Sequence, residues 1–451
     1  MRRLVPGLTL SLTLAATLYG CRSDDGRESV TLWAMGHEGE VARDVLVEFE
    51  AAHPDIRVVV QQVPWSAAHE KLVTSVVGRS TPDVSQLGNT WIAEFAALGA
   101  LEPLDSRVEA STAVERADFF TGIWDTNVVQ GETYGVPWYV DTRLLFYRTD
   151  LLERAGYDSI PSTWAGWKAS LAAMKSKLGP DDYPLFFPVN EWPPPVIFGL
   201  QNGSTLLREN DTRGAFAERP FRDAFAFFVE LFEDGYTPGV ANNEIGNLYQ
   251  EFSRGHVNGF ITGPWNLGEL RNRLPAEQAG VWSTSPLPGP EPGVPGVSLA
   301  GGSSLVLFRN SARKDAAWKL IEYLSLPETQ ARFYDLSGDL PARASVWESP
   351  TFQSDPRLAA FGDQLAHVVS TPKIPEWEQI ATVVQEHAEL AVRTGADIDS
   401  TLSQLDRRVN RILEKRRWLY EHGKLASASH DRAIETLQSI GLRAGTAGGG
   451  R

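Results

Sequence analysis

Along most of this chain, short β-prone segments alternate with segments of helical periodicity, and this alternation restricts the possible folds more than any other feature. Segments 30–34, 56–60 and 82–87 are strand-like, and apolar residues at helical spacing follow each of them. Such alternation is typical of βαβ units, in which helices cover both faces of a parallel sheet. A second region of the same kind begins after Pro137. Because 451 residues exceed one ordinary domain, the sequence predicts an α/β protein of two or three domains.

The charge and cysteine content argue against several kinds of partner and site. Lys and Arg number 42 against 57 Asp and Glu, so the formal net charge is −15. A chain this acidic repels nucleic acid and anionic membrane surfaces, which argues against both as main partners. With Cys21 as its single cysteine the sequence allows no intrachain disulfide and no CxxC metal site, and its eight histidines show no metal-ligand spacing. We therefore expect no metal, no cofactor and no nucleic-acid partner.

The usual signatures of catalysis are missing from the sequence. It contains no GxSxG nucleophile elbow, no GxxxxGK[ST] phosphate loop, no HExxH zinc motif and no GxGxxG dinucleotide fingerprint. Acidic residues are numerous, so counting does not exclude the carboxylate pair of a glycosidase. The sequence therefore favours a protein without catalytic residues, and a secreted glycosidase is the alternative.

The beginning of the chain resembles an export and lipidation signal. Arg2 and Arg3 precede an apolar run at 4–18, which is too short to span a bilayer. The run leads to Leu18-Tyr19-Gly20-Cys21, which resembles a bacterial lipobox. We expect residues 1–20 to be removed as a signal peptide and Cys21 to carry a lipid anchor, with 21–28 as a flexible tether. A plain secretory signal with an incidental cysteine is the alternative.

Several tryptophans occur in loop-like segments beside polar residues, namely Trp91, Trp138, Trp192, Trp265 and Trp377. An indole offers a broad apolar plane to the C–H face of a sugar, and nearby carboxylate, amide or guanidinium groups pair with the sugar hydroxyls. Loops at the strand ends of an open α/β sheet are also where ligands bind. For any single tryptophan, burial in the hydrophobic core is the alternative. The five together predict a shared carbohydrate-binding cleft.

Five short segments carry a resemblance to a known family. In chain order they are Pro82-Asp83-Val84 with Gly88-Asn89-Thr90-Trp91, Tyr134-Gly135-Val136-Pro137, Asp141-Thr142-Arg143-Leu144-Leu145-Phe146-Tyr147, Gly263-Pro264-Trp265, and Gly338-Asp339-Leu340-Pro341-Ala342-Arg343. From about Val30 to Trp418, the sequence resembles the family 1 extracellular solute-binding proteins of bacterial ABC importers, the group around the maltose- and trehalose-binding proteins. The resemblance implies a binding protein without enzymatic activity, located in the periplasm or at the outer face of the cell membrane. Its partners would be a carbohydrate and the permease subunits of an importer.

The resemblance also implies a fold and its boundaries. It implies an α/β, two-lobe periplasmic-binding-protein fold of the class II type, whose discontinuous lobes are joined by hinge crossings. The N-lobe would comprise 28–139 plus 300–337 and the C-lobe 140–299 plus 338–420, with 421–451 as a C-terminal extension. Ligand would bind between the lobes and favour a closed state. A monomer is expected.

The resemblance and the placement of the tryptophans together give the predicted ligand-binding residues. They are His37, Glu38, Asn89, Trp91, Trp138, Tyr139, Asp141, Arg143, Glu191, Trp192, Trp265, Gly301, Gly302 and Trp377. Structural roles are the alternatives for some of them. Glu38 could be a carboxylate favoured by the helix dipole, Asp141 and Arg143 a hinge ion pair, and Trp377 a packing residue of the C-lobe.

Other ligands stay open at this point. A polyamine, an iron chelate or a peptide could occupy the same kind of cleft. A polyamine site would need more acidic residues among its aromatic side chains, and an iron site would need clusters of Tyr and His. We find no such clusters in the sequence.

Overall fold

The computed structural model describes residues 26–425. The predicted signal peptide at 1–20 and the predicted lipidation site, Cys21, lie outside the described residues. So do most of the predicted tether at 21–28 and of the predicted extension at 421–451.

The described residues contain strands and helices in alternation. The strands are β1 (Glu28–Met35), β2 (Ile56–Val63), β3 (Val84–Gly88), β4 (Val128–Val129), β5 (Glu132–Thr133), β6 (Val136–Asp141), β7 (Leu144–Arg148), β8 (Leu207–Arg208), β9 (Arg213–Gly214), β10 (Gly259–Thr262), β11 (Trp282–Ser285), β12 (Ser298–Leu299), β13 (Gly301–Leu307), β14 (Leu340–Pro341) and β15 (Val368–Val369). The α-helices are α1 (Glu38–Ala52), α2 (Trp65–Val77), α3 (Ile92–Ala97), α4 (Asp105–Ala110), α5 (Thr121–Asp125), α6 (Thr149–Arg154), α7 (Trp164–Lys175), α8 (Pro193–Gln201), α9 (Arg219–Glu233), α10 (Leu248–Arg254), α11 (Trp265–Arg273), α12 (Lys314–Leu324), α13 (Pro327–Ser337), α14 (Pro350–Ser354), α15 (Pro356–Leu365), α16 (Trp377–Thr394), α17 (Ile398–Ile412) and α18 (Glu414–Glu421).

A six-stranded sheet forms the centre of what we call the first lobe. Its strand order is β14-β6-β13-β3-β1-β2. Strands β2 and β3 pair in parallel with β1, as the sequence predicts. Strands β13 and β14 run antiparallel to their neighbours, so the prediction of a parallel sheet is wrong for this half. Neighbouring strands become parallel when a helical crossover connects them. Strand β13 enters the sheet directly from the other lobe, without such a crossover.

A three-stranded sheet of order β10-β7-β11 forms the centre of the second lobe. Both outer strands pair antiparallel with β7, so the prediction of a second parallel region is wrong. The apolar run at 144–147 marks a buried strand, but such a run carries no information about the direction of its partners.

Helices pack their apolar faces on these sheets and on one another. The face of α9 that carries Phe221, Phe225 and Phe228 is fully buried, and it packs in one hydrophobic cluster with Leu402 and Leu405 of α17. Within residues 26–425, no helix has both the length and the apolarity needed to cross a bilayer.

The chain passes between the lobes three times: two short connections run side by side, and a third leads from β14 to α15, which packs on β11. Strand β6 of the first lobe leads through Thr142 and Arg143 into β7 of the second, and β12 leads through Ala300 into β13. At the second connection Gly302 has a φ of +117°, and a Cβ there would overlap the carbonyl oxygen of Tyr139, so the position requires glycine. Both short connections open onto the space between the lobes.

Candidate functional site

A cavity of about 570 Å³ lies between the two lobes. One side, which we call the first wall, is formed by Trp65 and Trp91 of the first lobe. The opposite side, the second wall, is formed by Trp192 and Trp265 of the second lobe, each beside a proline. A ligand in this cavity therefore contacts both lobes at once.

Strand-end glycines make room for the indoles of the first wall. Trp65 lies against Gly36, directly after β1, where an added Cβ would be 2.9 Å from the indole. Trp91 lies over Gly88, the last residue of β3, where an added Cβ would be 3.6 Å from the indole. The two rings pack edge to face at 5.9 Å between centroids. The end of the parallel sheet therefore places two aromatic rings at the cavity.

The second wall is held by different contacts. Trp265 is the first residue of α11, and its indole folds back over Gly263, where an added Cβ would overlap the ring. The Arg143 guanidinium stacks on this indole at 4.6 Å from the ring centroid. Trp265 is nevertheless 46% exposed, which is unusual for a tryptophan and leaves it accessible from the cavity.

A buried hydrogen-bond network forms the polar floor of the cavity. The Tyr139 hydroxyl donates to Glu38 Oε1 at 2.8 Å. The same hydroxyl oxygen accepts from Gln86 Nε2 and from Ser303 Oγ, both at 3.0 Å. Burial, and next the charge of Glu38, raises the pKa of Tyr139, so the phenol keeps its proton and Glu38 stays an acceptor. The network fixes the Glu38 carboxyl group at the edge of the cavity.

Two further carboxyl groups line the cavity. Burial raises the pKa of Asp339 to about 7, and the charge of Glu38 adds to the shift. Burial also raises the pKa of Asp141, although the nearby charge of Arg143 opposes this. Asp141, Asp339 and Glu38 therefore form an acidic group at the first-lobe side, with Arg143 as the cation that lines the same cavity.

Three polar atoms of residues that line the cavity have no hydrogen-bond partner in the described structure. They are Asn89 Nδ2, Asp141 Oδ1 and Thr142 Oγ1, and all three are shielded from solvent. Asn89 is 7% exposed, and its other amide atom accepts from Ser304 Oγ at 3.1 Å, which fixes the free NH₂ group. A buried polar atom without a hydrogen-bond partner lowers the stability of the folded protein. Because these atoms have almost no accessible surface, a ligand hydroxyl could reach them only if the side chains moved. Among residues 26–425, no group of three His, Cys, Asp or Glu is arranged to hold a metal ion.

Most of the residues predicted from the sequence lie at the cavity. They are Glu38, Asn89, Trp91, Tyr139, Asp141, Arg143, Trp192, Trp265, Gly301 and Gly302. Their role in binding stays a prediction. The remaining four are placed elsewhere.

Trp138 and Trp377 do not lie in open loops, so the expected position of their indoles is wrong. Trp138 belongs to β6, is 1% exposed and stacks on Phe333 at 4.5 Å. Trp138 is the extra residue at which the pairing of β6 with β13 shifts its register, and its indole is buried on Phe333 and does not line the cavity. Trp377 begins α16, is 1% exposed and packs edge to face behind Trp192 at 5.7 Å.

His37 and Glu191 also do not line the cavity. His37 precedes α1, and its largely exposed ring pairs with Glu40 at 3.1 Å. Glu191 accepts a hydrogen bond from the side chain of Asn242. In both cases the neighbour along the chain, Glu38 or Trp192, reaches the cavity instead, because adjacent side chains point in different directions.

Trp65 and Asp339 line the cavity but were missing from the predicted set. Trp65 follows β2 and a proline, the same signal that identified Trp265. Asp339 lies within the segment 338–343 that carried the resemblance. Thr90, Thr142 and Ser303 also line the cavity, each next to a predicted residue, whereas Thr371 has no signal in the sequence around it.

Comparisons with known proteins agree on one family. A model of the bacterial extracellular solute-binding protein family matches residues 36–331. The sugar-binding protein MalE from the phytopathogen Xanthomonas citri is 48% identical, with a TM-score of 0.85 over 87% of this chain and 99% of that one.

More distant relatives match over similar lengths. A putative binding protein of Brucella abortus is 26% identical over 419 residues, which is 92% of this chain and 100% of that protein. The diacetylchitobiose-binding protein DasA of Streptomyces coelicolor is 23% identical over 402 residues, which is 83% of this chain and 88% of that protein. The likeness to MalE confirms the predicted two-lobe fold. Because the family model spans well over half of the chain, the protein belongs to the bacterial extracellular solute-binding proteins.

Proposed function

We propose that this protein captures a mono- or oligosaccharide between its lobes and delivers it to the permease of an ABC importer. The observation that carries the proposal is the pair of aromatic walls, one from each lobe, around a floor of carboxyl and amide groups. Sugars have apolar faces and a polar rim, and this arrangement matches both. The related MalE and DasA proteins, named as binding a sugar and diacetylchitobiose, support the same class of ligand.

The polar floor would orient the sugar. Glu38, Asp141 and Asp339 can accept hydrogen bonds from hydroxyl groups, while Asn89 and Arg143 can donate to ring or hydroxyl oxygens. The cavity of about 570 Å³ lies within the range of about 300–1,000 Å³ that is typical of small-molecule sites.

The two short connecting segments would let the lobes rotate about a hinge. The predicted lobe boundaries, 28–139 plus 300–337 and 140–299 plus 338–420, differ from the fold at two points, because the sheet of the first lobe includes all of β6 (Val136–Asp141) and also β14 (Leu340–Pro341). Leu340 and Pro341 pair with β6 and so stand at the hinge. A sugar that contacts both walls stabilises the closed form, which is the form that permease subunits would recognise.

The proposal extends to the location of the protein. Cys21 would be lipidated after removal of residues 1–20 and would hold a monomer in the periplasm or at the outer face of the cell membrane. Mass spectrometry of the membrane fraction tests this. A chain that keeps Met1, or a Cys21→Ala variant that stays equally membrane-bound, would contradict it.

The experiment for the ligand is a thermal-shift screen followed by calorimetric titration. Mono-, di- and trisaccharides are tested against spermidine, because three carboxyl groups at the cavity make a polyamine the second candidate. A ligand that binds only the folded state raises the melting temperature by mass action. We expect a sugar to do so and spermidine not to. Stabilisation by spermidine without any effect of sugars would overturn the proposal.

The proposal predicts that the protein has no catalytic activity towards sugars, and this needs its own test. Carboxyl groups with different pKa values are what glycosidases use, and Asp339 has a raised pKa. We expect no release of chromophore from chromogenic glycosides and no cleavage of the bound sugar on long incubation. Turnover that disappears in an Asp339→Asn variant would show an enzyme instead.

A further inference from the structure

One hydrogen-bonded pair of side chains outside the cavity contacts the first wall. His69 of α2 does not line the cavity, but its imidazole packs edge to face against the indole of Trp91 at 5.2 Å. Its Nε2 donates to Glu94 Oε2 of α3 at 2.7 Å. The same imidazole packs against Phe95 at 6.1 Å. The imidazole is therefore held by Glu94 and Phe95 while it packs at a steep angle against Trp91.

The spacing along α2 explains this arrangement. Trp65 and His69 are four residues apart, so they lie on one face of the helix. Both rings meet Trp91 edge to face, at 62° for Trp65 and 68° for His69. Trp65 is 40% exposed and the His69 side chain 38%, so both supports of Trp91 are partly accessible to solvent. Without it, one side of the Trp91 indole would lose its packing partner.

We propose that His69, fixed by Glu94, is a positioning residue that holds the Trp91 indole in the orientation a sugar ring requires. The proposal rests on the proposed sugar binding at the cavity. An indole that is already ordered before ligand arrives avoids the entropy cost of ordering during binding. His69 therefore affects affinity only through Trp91.

The chain offers a matched control. His256 pairs with Asp182 at 3.2 Å and packs edge to face on Tyr183 at 5.9 Å. The exposures of the two imidazoles are similar, at 38% for His69 and 41% for His256. Neither His256 nor its partners line the cavity. Loss of the His256 pair therefore reports the general effect of losing such a surface cluster.

The test combines calorimetry with 19F NMR of protein labelled with 5-fluorotryptophan, using the sugar found in the screen. The Trp91 resonance is assigned by its absence in Trp91→Phe. In His69→Ala we expect this resonance to shift or broaden and sugar affinity to fall about two- to tenfold. His256→Ala should change neither. In a Trp91→Ala background, His69→Ala should cause no further loss of affinity, because the group on which it acts is gone.

His69→Phe keeps an aromatic edge against Trp91 and should restore most of the affinity, which also guards against a His69→Ala variant that fails to fold. Unchanged affinity and an unchanged Trp91 resonance in His69→Ala would overturn the inference. A loss of affinity that persists in the Trp91→Ala background would also overturn it. If no sugar binds the wild-type protein, the proposed function fails, whereas the Trp91 resonance still tests the positioning role.

Discussion

The two walls of the cavity differ in what supports them and in what accompanies them. The first wall stands beside nearly all the polar groups, including Glu38, Asn89 and Asp339. The second wall consists of Trp192 and Trp265 with adjacent prolines. Hydrogen bonds are directional and select an orientation, whereas burial of apolar area is not directional. We infer that the first lobe determines which sugar binds and how, and that the second lobe contributes area when the hinge closes.

The largest effect is expected from the packing residue behind the second wall. Trp377→Ala removes a fully buried indole that supports Trp192, so the free energy of unfolding should fall by about 3–5 kcal/mol. Chemical denaturation monitored by circular dichroism measures it, with the partly exposed Trp192→Ala as the control. A stable Trp377→Ala protein with weaker sugar binding would mean that the indole faces the ligand after all.

The next effect separates affinity from stability. Trp265→Ala should weaken sugar binding by about thirty- to hundredfold, because a stacked sugar face buries on the order of 100 Å² at about 25 cal/mol per Å². The melting temperature should change little, because the indole is 46% exposed. Calorimetric titration and a melting curve of the same preparation measure both. Unchanged affinity in this folded variant would contradict the role given to the second wall.

A smaller loss of sugar affinity is expected from a substitution in the polar floor, and the loss should differ from one sugar to another. Glu38→Gln keeps an oxygen that can accept from Tyr139, so folding should be preserved. It removes the negative charge that strengthens hydrogen bonds to sugar hydroxyls, which costs about 1.5 kcal/mol, or roughly tenfold in affinity. Titration with deoxy-sugars that lack single hydroxyls locates the lost contact. An equal loss for every sugar would mean that the first lobe does not select among them.

The last prediction concerns the pH dependence of stability. The pKa of Asp339 is raised from 3.8 to about 7 in the folded protein, so between these values the folded state holds a proton that the unfolded state has released. The contribution of Asp339 to the stability of the free protein should therefore be greatest below pH 3.8 and fall as pH rises towards 7. Asp339→Asn should flatten this part of the profile. Denaturation curves at a series of pH values measure it, and identical profiles for both proteins would contradict the assignment.

The sequence predicts the elements of the first lobe better than those of the second. Strands β1 to β3 and the helices after them follow a regular alternation, so their pattern determines both type and direction. The directions of β7, β10 and β11 depend on contacts between residues more than 100 positions apart, such as Phe146 with Phe260, which no local pattern contains.

For the site, the sequence identifies residue types at strand ends but not the direction of each side chain. Trp138 and Tyr139 are adjacent and share the same polar surroundings in the sequence, yet only Tyr139 reaches the cavity. Thr371 arrives there through the course of the chain after β15, which depends on tertiary packing. The direction of each side chain and its neighbours in the folded chain therefore could not be predicted from the sequence.

The central claim is that one sugar contacts both walls and closes the hinge. Small-angle X-ray scattering of the purified protein, without ligand and at a sugar concentration that calorimetry shows to be saturating, tests it directly. We predict a smaller radius of gyration with sugar, and a smaller decrease for Trp265→Ala at its own saturating concentration because that variant lacks much of the second wall. An unchanged radius of gyration at full occupancy of the wild-type protein would contradict the account.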